Sequence, residues 1–418
     1  MAIIDGEHHA PVVRDALETL PHEVVAAWLA GGREKLRGGE DYGVPLAAGL
    51  EEGVAEYGPD LVVDLSDEPV LGPPERLRVA SRVLALDLPY VGPDFRFDPP
   101  SAPPVDVPAL AVIGTGKRVG KTAVTAHAAR LLAADRAVVV VAMGRGGPPK
   151  PELLERSPSL NELLSRSRAG LHAASDYLEI AALTGVPTVG CRRCGGGLAG
   201  SPAVSNVAAG VELAAERRPD LVLLDGSGAA LPPVKADARV LVIGADQGPL
   251  LATGYLNAYR ILVADLVVLT MCEQGTPYEA VRSAVAELSP VPVVATVLRP
   301  RPTARVAGRR VGFFTVAPAA AHATLAEHVR AEHGAAEVVV SGHLADRAAL
   351  KRDLAGLDAD VFLVELKAAA VDVVLEAAVA RGIEVVLADA EVRALPGELD
   401  LDGRLCALAD AAARRSLP

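Results

Sequence analysis

The segment Ala111-Val-Ile-Gly114-Thr115-Gly116-Lys117-Arg118-Val119-Gly120-Lys121-Thr122 is an apolar strand that runs through a glycine-rich turn into a helix starting near Thr122. Glycines let successive backbone N–H groups face one centre, and a helix N-terminus adds positive potential there. The Gly-Lys-Thr ending supplies an ammonium for the β/γ oxygens of a nucleoside triphosphate and a hydroxyl for Mg²⁺. Gly114, Thr115, Gly116, Val119 and Gly120 then offer amides, Lys121 bridges the phosphates, and Lys117 and Arg118 offset charge on the transferred group. The spacing departs from strict G-x-x-x-x-G-K-[ST], because Thr115 stands five before Gly120 with a glycine on either side. It also fails the dinucleotide fingerprint, which needs glycine at Val119. A turn of this kind without a ligand is the plain alternative, and the Gly-Lys-Thr ending in a strand-to-helix setting argues against it.

A second element fits the first. Pro219-Asp220-Leu-Val-Leu-Leu-Asp225 is an apolar strand ending in a carboxylate, which a parallel sheet delivers beside the phosphate turn, so Thr122 and Asp225 are the expected Mg²⁺ ligands. Three stretches are oddly basic for an acidic chain. Met143-Gly-Arg145-Gly-Gly-Pro-Pro-Lys150 and Gly190-Cys191-Arg192-Arg193-Cys194-Gly-Gly-Gly197 follow strands and belong at the carboxyl edge, where ligands bind. Arg299, Arg301, Arg305, Arg309 and Arg310 lie in a run without an acid. Arginine forks converging on one cleft suit a polyanionic substrate, and solvated surface charge is the alternative for the five-arginine run. Cys191-x-x-Cys194 has no second pair at zinc spacing and reads as loop packing. His8 and His9 follow an acidic turn, with no nucleophile arrangement around them.

These residues need elements to position them. Ala2–Ile4, a helical pattern from about Val12 to Leu29, an apolar strand at Leu61–Leu65 and a helix from Glu75 to about Leu86 make a small α/β unit over residues 1–97. Residues 98–108 hold enough proline to forbid helix and ladder and read as a stiff linker. From Ala109 to residue 300, short Val/Leu/Ile strands alternate with helix-length segments: Ala109–Ile113, Ala137–Met143, Thr188–Val189, Leu221–Leu224, Val240–Ile243, Leu266–Leu269 and Val293–Val297. Such strands belong to a doubly wound parallel sheet covered on both faces. The Pro/Arg-rich stretch Leu298–Arg310 hands over to a smaller C-terminal α/β unit, 301–418, with strands at Val311–Val316, Glu337–Val340, Val361–Val364 and Glu384–Leu387. The fold class is therefore α/β, a central P-loop NTPase domain flanked by two smaller α/β domains.

The 418 residues suffice for about three domains at roughly 150 residues each. Half are apolar and 22% charged, a globular balance, and 7 Tyr, 5 Phe and 1 Trp leave the cores to Ala, Val and Leu. A formal charge of −12 excludes a chain-wide positive field for nucleic acid. Apolar runs far shorter than the roughly 20 residues of a membrane span, an acidic start and four cysteines point to a cytoplasmic protein with no membrane partner. A homo-oligomer is left open.

Gly-Thr-x-x-x-Val-Gly-Lys-Thr is similar to the phosphate loop of dethiobiotin synthetase and its relatives, with Gly116 where those enzymes have an acid. Across the chain, Ile4-Asp-Gly-Glu-His8, Gly114–Thr122, Met143-Gly-Arg-Gly-Gly-Pro-Pro, Ser175-Asp-Tyr-Leu-Glu179, Val189–Ala199, Gly226-Ser-Gly-Ala-Ala-Leu-Pro-Pro-Val234, Gly254-Tyr-Leu-Asn-Ala-Tyr-Arg260 and Glu365-Leu-Lys-Ala-Ala-Ala370 together resemble the cyclic 2,3-diphosphoglycerate synthetases. His9, where an aromatic is expected, and Asp225, where relatives can carry Glu, depart from that pattern. The resemblance implies a ligase that uses MgATP to close 2,3-bisphosphoglycerate into its cyclic anhydride, releasing ADP and phosphate. Arg145, Lys150, Arg192 and Arg193 then hold the substrate phosphates, with Arg299, Arg301 and Lys367 assisting. The alternatives are a nucleotide-dependent switch or metallochaperone, which Cys191-x-x-Cys194 favours, and an ATP-dependent carboxylate ligase, which explains neither the flanking domains nor the arginines.

Overall fold

A computed structural model describes residues 1–415. The first six strands are β1 (Ala2–Ile4), β2 (Ala27–Leu29), β3 (Leu46–Ala47), β4 (Val62–Asp64), β5 (Tyr90–Val91) and β6 (Arg96–Phe97). They form one sheet in the order β3-β2-β1-β4-β5-β6, parallel except for β6. The helix expected from Val12 to Leu29 spans only Ala10–Thr19, and its tail is β2. Pro21 is the reason: the residue before a proline is driven out of the helical region, and Leu20 is extended at φ −60°, ψ 144°. Residues 98–108 contain neither helix nor strand. They are nonetheless held, because Pro103 O and Pro108 O accept from Lys235 N–H and Val222 N–H at 2.8 Å each.

The second sheet contains β7 (Ala109–Gly114), β8 (Val138–Gly144), β9 (Glu152–Leu154), β10 (Thr188–Cys194), β11 (Val204–Ser205), β12 (Leu221–Asp225), β13 (Ala238–Gly244), β14 (Leu266–Thr270) and β15 (Val293–Pro302). It continues through β16 (Arg310–Phe314), β17 (Glu337–Ser341), β18 (Val361–Val364) and β19 (Glu384–Ala394). The order is β11-β10-β8-β12-β7-β13-β14-β15-β19-β18-β16-β17, with β9 beside β10. From β10 to β15 every pairing along that path is parallel. Alternate residues feed two separate cores: Leu110, Val112, Val140 and Leu223 on one face, Ala111, Ile113, Val141 and Leu224 on the other. That alternation is what a sheet covered on both sides requires.

The expected handover at 300/301 falls inside β15. Beyond Ala295 only β19 flanks this strand among the described residues, so Pro300 and Pro302 can turn their missing N–H toward the open side. β19 runs antiparallel to β15 and parallel to β18, which reverses the whole C-terminal part of the sheet. The carboxyl ends of β16, β17 and β18 therefore point back toward the carboxyl edge that carries the phosphate turn.

Candidate active site

Thr115–Gly120 link the end of β7 to the helix Lys121–Leu132, with Arg118 (φ 61°) and Gly120 (φ 80°) in the left-handed region. A side chain on Gly114 would come within 3.1 Å of Val119 and 3.3 Å of Gly228 O, so the turn is packed as tightly as glycine allows. Thr115 N–H is committed to Val242 O (3.2 Å) and its hydroxyl to Gln247 Oε1 (2.8 Å). Thr115 is thus tied to β13, a correction to its expected role as an amide donor. The amides of Gly116 to Gly120 have no acceptor among the described residues and form the cradle. Lys117 and Arg118 are exposed above it.

Lys121 is not on an exposed loop, as an N-terminal helix position in such a turn suggests: it is 7% exposed and donates to Oδ1 of Asp225 at 2.8 Å. Asp225, at the end of β12 beside β7, is fully buried. Its Oδ1 also accepts from Thr125 Oγ1 (2.7 Å), a residue that sequence reading missed although it lies one helical turn beyond Lys121 on the same face. Burial pushes the Asp225 carboxyl up, and the Lys121 ammonium opposes that shift. Oδ2 of Asp225 is buried without a hydrogen-bond partner, and the half-buried Thr122 hydroxyl makes no hydrogen bond among the described residues. Two spare hard oxygens beside a phosphate cradle fit Mg²⁺.

The basic stretches separate into two groups. A Cβ built on Gly228 (φ 60°), just past β12, would lie 2.9 Å from Nη2 of Arg145, 3.6 Å from Nη2 of Arg193 and 4.0 Å from Cγ of Lys117. Two guanidiniums and the stem of Lys117, from three strand ends, thus converge beside the cradle. Arg193 is fixed there by donating to Gly195 O (2.6 Å) and Ser227 O (2.7 Å). Its Nε is buried and unpartnered, and burial together with the Arg145 charge lowers its affinity for its proton. Neither arginine has a carboxylate partner among the described residues, so their charge is available to an anion. β10 extends through Cys194, which puts Arg192 and Arg193 on the strand and not in the loop after it. Arg192 and Lys150 are exposed and unpaired among the described residues.

Arg299 and Arg301 take carboxylate partners instead. Arg299 pairs with Glu273 (2.9 Å), and Arg301 with the buried Asp389 (2.8 Å), which also holds Arg130. Arg309 pairs with Glu384, and Arg310 with Asp358 and Asp360. The run has no acid nearby in sequence, but the β15–β19 register sets Asp389 directly opposite Arg301. Lys367 lies against Glu179.

Sequence reading also missed Arg260, which is 2% exposed. It donates to Leu198 O (3.2 Å), Ala229 O (3.0 Å) and Leu256 O (2.9 Å), tying the glycine loop after β10 to the turn after β12. Cys191 is buried with its thiol pushed up to about 12 by burial, whereas Cys194 is exposed. Residues three apart on a strand face opposite ways, so the pair shares no ligand. His8 places Nδ1 2.8 Å from the buried Asp5 at the end of β1, away from these groups in sequence and sheet.

Arg193→Ala is expected to raise the Michaelis constant for a polyanionic substrate by about tenfold or more, at roughly 1.5–3 kcal/mol for a charge-assisted contact, and that for ATP much less. Steady-state kinetics with each substrate varied in turn decides it. Equal weakening of both places the guanidinium on the nucleotide.

Family models for the cyclic 2,3-diphosphoglycerate synthetase N-terminal domain, P-loop domain and C-terminal domain match residues 1–98, 109–298 and 302–391. A cyclic 2,3-diphosphoglycerate synthetase from Rubrobacter xylanophilus is 49% identical over 99% of this chain and 97% of its own. Those from Thermococcus gammatolerans and Methanothermus fervidus are 44% and 40% identical, over 94% and 93% of this chain and 93% and 92% of theirs. Among solved structures, LpxK from Aquifex aeolicus in complex with ATP aligns with a TM-score of 0.44 and 15% identity over 74% of this chain and 90% of that one. The chain belongs to the cyclic 2,3-diphosphoglycerate synthetase family.

Proposed function

We propose that the chain joins the two phosphates of 2,3-bisphosphoglycerate into an intramolecular anhydride, using ATP and releasing ADP and orthophosphate. The observation that carries this reading is the meeting of Arg145 and Arg193, which have no carboxylate partner among the described residues, beside Lys117, the amide cradle and the Lys121–Asp225 pair. The cradle of Gly116–Gly120 and the N-terminus of the following helix hold the nucleotide phosphates, and Lys121 turns from Asp225 to the transferring group. Thr122 and Asp225 would hold Mg²⁺, which would supply charge neutralisation for the nucleotide phosphates. Arg145 and Arg193 orient the bisphosphoglycerate, with Arg192 and Lys150 at the rim. A phosphate dianion is already a nucleophile, so positioning and charge neutralisation carry the catalysis and no general base is required.

A reaction on ATP by a chain whose four cysteines are all free fits a reducing cytoplasmic setting. No helix among the described residues is long and apolar enough to cross a membrane. The test is ATP turnover with and without 2,3-bisphosphoglycerate, with phosphorus resonance following the cyclic product. Turnover is expected to rise at least about tenfold with the substrate, the scale set by completing the site with its second reactant. Turnover indifferent to it removes this reading.

A further inference from the structure

Because the C-terminal strands are reversed, their carboxyl ends approach the phosphate-turn half, and one cation marks the meeting. Lys367 follows β18 on a tight turn closed by its own N–H to Glu365 O (2.8 Å) and by Ala368 in the left-handed region (φ 46°). Its Nζ lies 3.5 Å from Oε1 of Glu179, on the helix Asp176–Thr184 of the other half, and 4.0 Å from Oε2 of Glu365. Glu365 is already engaged by the Thr315 hydroxyl (2.8 Å) and the Val316 amide (3.3 Å). Glu179 has no other partner among the described residues. The exposures are unequal: the Lys367 side chain is 35% open and that of Glu179 is 9%. The cation therefore fronts the space between the halves and the carboxylate stands behind it. Asp176, in the first turn of the same helix, acts on Glu179 and Lys367 and also on Asp225 and Arg193, which sets the pair in the same field as the phosphate site.

We propose that Glu179 is a positioning residue that holds Lys367 at the junction of the two halves until a phosphate of the substrate takes the ammonium, whereupon Glu179 accepts a proton from solvent. The exchange rests on 2,3-bisphosphoglycerate being the substrate. It follows from charge balance at one point. A buried carboxylate stripped of the one cation it has among the described residues, and left among Asp176, Glu365 and an arriving phosphate, cannot stay charged cheaply. No bond between heavy atoms changes, and the proton that Glu179 gains is the one solvent loses. Burial pushes Glu179 up to about 7 even with Lys367 opposing, and removing Lys367 moves it further up.

The sign is then fixed. Below about pH 7 Glu179 is protonated with or without substrate and adds no pH dependence. Above it, binding takes up about one proton, and affinity falls about tenfold per pH unit until the substrate-bound value is passed. Ionisation of the substrate phosphates is common to all variants and drops out of their differences.

The experiment is calorimetric titration of 2,3-bisphosphoglycerate into the full chain without ATP, from about pH 7 to 9, in buffers of different ionisation enthalpy. Wild type is expected to take up about one proton more than Glu179→Gln, and the slope of log Kd against pH to be steeper by about one. Lys367→Met is expected to weaken binding at least tenfold and to lose the same slope, which keeps the test decisive if the Glu179 variant does not fold. Equal proton uptake and slope in wild type and either folded variant overturns the exchange while leaving the substrate reading intact. A wild type that binds no bisphosphoglycerate but still binds ATP removes that reading, and the exchange with it.

Discussion

Lys121→Ala loses at least two decades of turnover, about 2.7 kcal/mol of barrier, and also melts at a lower temperature than the wild type. The first effect follows from removing the cation that meets charge on the transferring phosphoryl group. The second follows from burial. Lys121 is 7% exposed and is the only cation on Asp225, itself fully buried, among the described residues. Removing one partner of a buried pair costs about 3–5 kcal/mol when the other stays charged. Asp225 can relieve this by taking a proton, since burial already pushes its carboxyl up, and Thr125 continues to donate to it. The double variant Lys121→Ala/Asp225→Asn is therefore expected to regain most of the lost melting temperature and none of the activity. Turnover within about threefold of wild type, less than about 1 kcal/mol, in a normally melting Lys121→Ala protein would falsify the phosphate-loop assignment.

Much of this fold was legible because a strand buried on both faces has to be a run of Val, Leu and Ile, and β7, β8, β12, β13 and β14 are such runs. What escaped was strand built from other residues. Leu298-Arg-Pro-Arg-Pro302 alternates with period two, as a half-buried strand does, yet two prolines and two arginines outweigh that pattern in a local reading. Only the pairing with β19 makes it a strand, and β19 lies about ninety residues further along the chain. β10 hides in the same way, since Gly-Cys-Arg-Arg-Cys looks like a loop until β8 and β11 flank it.

The candidate site divides along the same line. The glycine-rich turn and a carboxylate at a neighbouring strand end follow from residue types and were visible; the buried Lys121–Asp225 contact was not, because it depends on β12 pairing beside β7. Arg145 and Arg193 could be assigned to one edge, and the register of β8 against β10, with Gly144 facing Arg192, is what sets them side by side. Arg299 and Arg301 have no acid in the neighbouring sequence, and the ion pair of Arg301 is invisible there because Asp389 arrives across the sheet. Arg260 looks like ordinary charge on a short helix, and its partners are carbonyls of two distant loops, which no side-chain pattern encodes. The meeting of Lys367 with Glu179 depends on the reversal at β19, a property of chain path and not of either segment.

With γ-labelled ATP and unlabelled 2,3-bisphosphoglycerate, all label is expected in orthophosphate and none in the cyclic product. Joining two phosphates of one molecule expels an oxygen, so one of them must first be made into a leaving group. Transfer of the γ-phosphoryl to an oxygen of one substrate phosphate, with ADP leaving, does this. An oxygen of the neighbouring phosphate then attacks the substrate's own phosphorus and displaces the transferred group as orthophosphate, so each P–O bond formed is matched by one broken. The second step is intramolecular, and in the role proposed for them Arg145 and Arg193 hold both charges against mutual repulsion, which gives the step a large effective concentration over water as competitor. Phosphorus from ATP therefore passes through the substrate without remaining in it. Stable label in the glycerate product means that the chain stops at a kinase step. Label released as orthophosphate at the same rate without bisphosphoglycerate means that hydrolysis is not coupled to ring closure, and a nucleotide-dependent switch becomes the better account of the same cradle.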